Sequence, residues 1–116
     1  MYFTPQTDPH IDWVRVDRNA LQMLEKAREI AGIAFIVTSN YRTPEHSEAV
    51  GGFATDAHTQ NPCSAFDIAC ADSASRWKIV FALKEAGFPR IGINTKNNHV
   101  HCDCDATKPQ FVLFEE

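Results

Sequence analysis

Apolar residues recur along the chain at two different periods. Between Asp17 and Gly32, the residues Ala20, Leu21, Leu24, Ala27 and Ala31 share one helical face, with Arg18, Glu25, Lys26, Arg28 and Glu29 on the other side. This spacing predicts an amphipathic helix capped by Asp17 and stopped by Gly32. The apolar, β-branched run Ile33–Thr38 predicts a buried strand. Thr43 followed by Pro44 predicts the start of a short helix that Gly51-Gly52 ends. Residues 53–64 read as a long loop turning at Asn61-Pro62, and Phe66–Ala71 as a strand that carries Asp67 inward. A second helix, capped by Asp72 or Ser73 and stopped near Ala86 by Gly87, offers Trp77, Val80, Phe81 and Leu83 as a face to cover a sheet. Arg90–Asn94 and His99–Cys104 predict strands joined by the polar turn Thr95-Lys96-Asn97-Asn98, with Phe111–Phe114 as an edge strand. This order predicts a single α+β domain, an antiparallel sheet backed by helices. Residues 1–16 have Ile11-Asp12-Trp13-Val14 as their apolar patch and read as an N-terminal arm that docks Trp13 on a body formed by residues 17–116.

Composition narrows the picture further. A chain of 116 residues with 44% hydrophobic content suffices for one domain with one modest core. A net charge of −4 gives no basic footprint for nucleic acid. The longest apolar run, Ile33–Val37, is far too short for a membrane span. Met1–Gln6 has neither a basic segment nor an apolar stretch, so no signal peptide is read there. Synthesis in the cytoplasm and a monomeric state are the expectations. The four cysteines, at 63, 70, 102 and 104, form no C-x-x-C pair and read as buried free thiols. Cys102-x-Cys104 has the spacing of half a structural zinc site, without a second half.

The candidate chemistry lies in two stretches, Ala57–Ile68 and Asn98–Asp103. His99 and His101 stand at i and i+2, which on a strand point to the same face. His58, Asp67 and His101 are all good zinc ligands, and three protein ligands with a fourth position open describe a catalytic zinc site. Two neutral imidazoles and one carboxylate would leave the site at about +1, enough to bring the pKa of a bound water toward ~7. Arg42, at a strand end before a capped helix, reads either as a surface arginine or as an anion clamp at the rim of a site.

Thr38-Ser39-Asn40-Tyr41-Arg42-Thr43-Pro44-Glu45, with Ala49-Val50-Gly51-Gly52 shortly after, resembles a segment of the zinc D-alanyl-D-alanine carboxypeptidase family. That family includes phage L-alanyl-D-glutamate endolysins and shares its fold with the hedgehog signalling domain. His58 followed by Ala65-Phe66-Asp67-Ile68, then Val100-His101-Cys102-Asp103, matches the family's later motifs, so the resemblance spans roughly residues 17–105. It implies one zinc ion held by His58, Asp67 and His101, with Arg42 contacting a peptidoglycan stem peptide and Tyr41 and Asp56 beside it. It further implies hydrolysis of that peptide by a metal-activated water, as carboxypeptidase or endolysin-type endopeptidase. Release to the cell wall after synthesis, as for a phage-encoded lysis enzyme, is part of this expectation.

The chain departs from the family at three points. Eight residues separate His58 from Asp67, a longer loop than is usual, for which an outward bulge at Asn61-Pro62-Cys63 is expected. Asp56 replaces a serine. Asn98 stands where related branches place an acid, which leaves His99 as the candidate proton carrier, its pKa expected to be lowered by the zinc. Two other classes compete: a zinc-containing cell-wall peptide-binding module without hydrolysis, and a structural zinc or redox protein using the cysteines.

Overall fold

The computed structural model describes all residues, 1–116. Helix α1 spans Arg18–Ala31; Asp17 caps it by accepting the Ala20 amide, and Gly32 ends it in the left-handed region at φ 68°. Its buried face is Ala20, Leu24 and Ala27, as the spacing predicts. Strand β1 is only Val37–Ser39, and helix α2, Pro44–Ala49, starts from a Thr43 cap. A 3-10 turn, Ala57–Thr59, precedes β2 (Phe66–Ala69); α3 (Ser73–Glu85) follows with Asp72 as cap. Strands β3 (Arg90–Asn94), β4 (His99–Asp103) and β5 (Val112–Glu115) complete the chain.

The five strands form one sheet in the order β1-β2-β4-β3-β5. All neighbours are antiparallel except β5, which lies parallel to β3. The α+β architecture therefore stands, with one parallel edge that strand patterns do not reveal. Side chains alternate across this sheet. Phe66, Ile68, Val100, Cys102 and Ile91 join α1 and α3 in the main core, while Asp67, His101 and Asp103 are buried on the opposite face.

Two predicted elements differ. The strand expected over Ile33–Thr38 is an edge strand of three residues, shifted in register between Val37 and Ser39, and Ile36 is exposed. Phe35 and Val37 reach the core on alternate positions, so the run is half-buried rather than wholly buried. On α3, Trp77 and Phe81 are 75% and 51% exposed, and the face turned to the core is Ile79, Ala82 and Leu83. Apolar residues surround that helix, so periodicity alone does not choose its inner face.

Residues 1–16 contribute Phe3, Ile11 and Val16 to the core, and Trp13 packs beside it with its Nε1–H donating to the Asp8 carbonyl. Val16 bridges to Cys63, whose backbone exchanges hydrogen bonds with Arg15 and Asp17. The N-terminal segment thus buttresses the long loop that leads to β2. Within that loop Asn61 and Pro62 point to solvent while Cys63 turns fully inward, so the bulge involves two residues rather than three. All four cysteines are free, and only Cys104 is not fully buried.

Candidate metal centre

The β2–β4 register sets Asp67 directly opposite His101, and His58 descends onto this pair from the 3-10 turn. The ligand atoms of the three side chains lie within 4.8 Å of one another, all buried. His58 Nε2 is 3.2 Å and His101 Nδ1 3.1 Å from the same oxygen, Asp67 Oδ1.

The other nitrogen of each ring is already engaged. His58 Nδ1 lies 2.6 Å from the carbonyl of Asn40, an amide residue that is itself buried and bonded to the Ala65 carbonyl and the Asp12 amide. His101 Nε2 lies 2.6 Å from Asp103 Oδ2, and Asp103 Oδ1 takes a 2.9 Å bond from Arg90 Nε. Those acceptors hold the ring protons on the outer nitrogens, so neutral rings turn two lone pairs toward Asp67 Oδ1, itself an acceptor. Three acceptors converging without a donor need a cation between them, and an N,N,O set backed by outer hydrogen bonds suits zinc. In the protein alone a proton does this work. Burial would lower the pKa of His101, but hydrogen bonds to Asp103 and Asp67 outweigh it and raise it to about 9. Burial would raise Asp67, but hydrogen bonds from His101 and His58 hold it well below the usual carboxylate range.

An open cavity of about 540 Å³ lies over this group, large enough for a short peptide. Arg42, Asp56 and His99 line it with the triad. The Arg42 backbone amide donates to the His58 carbonyl, its guanidinium is 3.7 Å from Asp56 Oδ2, and its Nε is buried without a hydrogen-bond partner. Asp56 is an organiser of this rim: it accepts from Ser47 Oγ and from the Phe53 and His58 amides. That leaves it little capacity to meet substrate directly. Tyr41 does not line the cavity; its ring packs on Ala57, Cys63 and Ala65, with Arg15 stacked above it.

His99 stands on the triad's side of the sheet, its Nε2 3.6 Å from Asp67 Oδ1 and 2.7 Å from Glu116 Oε1. The protein's own charges move its pKa up rather than down, through the Glu116 hydrogen bond against the opposing effect of burial. Cys102 faces the helices, away from the group, which leaves the cysteine-based structural reading without a ligand set.

A family model described as Peptidase M15 matches residues 5–103. The chain belongs to the peptidase M15 family. No curated protein and no solved structure matches it. M15 peptidases are zinc-dependent metallopeptidases, in keeping with the donor set of this chain. Sequence reasoning missed Asn40, Arg90 and Glu116 in this M15 peptidase. Asp103, two residues beyond His101 on one strand, carried a readable signal for its bond to the ring; the other three meet the site only through the fold.

Proposed function

We propose that this M15 peptidase hydrolyses a peptide bond next to a D-amino acid in peptidoglycan stem peptides. His58 Nε2, Asp67 and His101 Nδ1 would hold one zinc ion, with the fourth position open toward the cavity. When bound, the ion supplies Lewis acidity that polarises the scissile carbonyl and activates water. Arg42 binds a substrate carboxylate at the rim through its free guanidinium N–H groups, with Asp56 fixing its position. His99 carries the proton traffic: it takes a proton as water attacks and passes it to the leaving amine. Asn98 cannot serve in this way because its amide does not titrate.

The observation that carries the reading is the convergence of two imidazole nitrogens on one buried carboxylate at the floor of an open, peptide-sized cavity. Mass spectrometry of purified muropeptides, incubated with zinc-loaded and with chelator-stripped protein, tests it. Loss of a defined amino acid or peptide fragment with the zinc-loaded protein alone is expected. Unchanged muropeptides with the loaded protein would rule the hydrolase out and leave a peptide-binding module.

A further inference from the structure

The loop between α2 and the 3-10 turn is held at every residue from Gly52 to Asp56. The Gly52 amide donates to the Ser47 carbonyl at 2.7 Å, and the Phe53 amide to Asp56 Oδ2 at 3.3 Å. The Ala54 carbonyl accepts from Thr59 Oγ1 at 3.0 Å, and the Thr55 carbonyl from Lys108 Nζ at 2.9 Å. Lys108 is itself paired with Asp105 at 2.6 Å, so the connection between β4 and β5 braces the loop from outside. Gly52 permits the close seat: a β-carbon there would stand 2.6 Å from Asp56 Oδ2 and 2.8 Å from Ser47 Oγ.

While its backbone is braced, the Phe53 side chain has no partner in the protein. It is 75% exposed and belongs to neither apolar cluster. A single exposed apolar side chain is ordinary on an open surface. Phe53, however, lines the cavity over His58, Asp67 and His101, as does Val50, itself 54% exposed. Most of that lining is charged or polar, so an aromatic ring there stands out chemically. Its place is fixed relative to Arg42. Asp56 Oδ2, which accepts the Phe53 amide, is 3.7 Å from Arg42 Nη2. One carboxylate oxygen thus holds the guanidinium and the aromatic loop side by side.

We propose that Phe53 is a specificity-determining residue of the peptidase. With Val50 it forms an apolar wall beside the Arg42 clamp, and so selects peptides whose carboxylate-bearing residue has a hydrocarbon side chain. This rests on the role given to Arg42 above. A carboxylate held by the guanidinium leaves the side chain of the same residue at the neighbouring wall. A hydrocarbon there covers the ring, and both surfaces leave water. A polar side chain of the same shape would shed its hydration with no hydrogen bond in return. The discrimination therefore falls on polarity more than on size.

The test uses two N-acetylated tripeptides with free C-terminal carboxylates, one ending in D-Ala-D-Leu and the other in D-Ala-D-Asn. The leucine and asparagine side chains have nearly the same shape, so their ratio reads polarity. With zinc-loaded parent protein, kcat/KM should favour D-Leu by at least about tenfold. In Phe53→Ala that ratio should shrink to less than about threefold, with the larger loss on the D-Leu peptide. Phe53→Leu, which keeps the wall apolar, should retain most of the preference. Zinc content and melting temperature should hold in both variants, because the ring packs on nothing in the protein. A parent ratio near one, or equal losses on the two peptides in Phe53→Ala, would overturn the proposal. If neither these peptides nor muropeptides are cleaved, the hydrolase reading falls by itself. Titration calorimetry with the same two peptides then decides what Phe53 does: tighter binding of D-Leu that Phe53→Ala abolishes supports the wall, and equal or absent binding overturns it.

Discussion

Asp103 has no exposed surface, and its two oxygens are divided between Arg90 Nε and His101 Nε2. It keeps the His101 proton on the outer nitrogen and also neutralises a nearly buried guanidinium. Asp103→Ala should therefore weaken zinc binding about 10- to 100-fold in a chelator competition. It should also cost about 3–5 kcal/mol in urea unfolding, since Arg90 loses its partner in a dry setting. Arg42 has the opposite profile. Arg42→Lys keeps the charge but loses the planar fork, so peptide turnover should fall sharply while zinc content and melting temperature hold. The thiols give a pH dependence. Burial pushes Cys63 up to about 12 and Cys104 up to about 11, against 9.0 for a free thiol. The unfolded chain releases these protons first, so the stability they contribute is present below pH 9 and is lost as pH climbs toward the folded values. Urea unfolding at pH 8 and pH 10.5 should show that loss, and Cys63→Ala should reduce it.

Among the elements, the helices were the most legible from sequence. Caps at Asp17, Thr43 and Asp72 sit where short polar side chains meet helical spacing, because capping is a local interaction. What periodicity could not supply was the inner face of α3, where Trp77 and Phe81 compete with smaller residues and lie outside. Trp77→Ser should accordingly change stability by no more than about 0.5 kcal/mol. The parallel seat of β5 was equally hidden, being decided by pairing across the sheet rather than by neighbours in the chain. Gly92 is what allows that seat. A β-carbon there would stand 2.6 Å from the Phe114 ring, which lies 5.8 Å from the His101 ring. Gly92→Ala should displace the Phe114 ring from its place beside His101 and destabilise the protein by about 1–3 kcal/mol. A weakened zinc affinity in the same variant would trace the effect to the site.

At the scale of the whole molecule, one sheet separates two tasks. The face toward α1 and α3 holds the core, and the other face holds His58, Asp67 and His101, with β2 and β4 supplying residues to both. His58, Asp67 and His101 could be picked out in the sequence because their residue types and strand alternation are local properties. Their supports could not, since Asn40, Arg90 and Glu116 reach the site from a strand end, a neighbouring strand and a parallel edge. The proposed zinc site is formed by His58, Asp67 and His101. Zinc that binds only the folded state adds to folding free energy, so metal and stability should move together. The most direct measurement is the zinc content per chain, by elemental analysis, of the parent protein, His58→Ala and His101→Ala purified in parallel. One zinc in the parent and near none in either variant is the expected result; a full zinc complement in either variant would contradict the assignment.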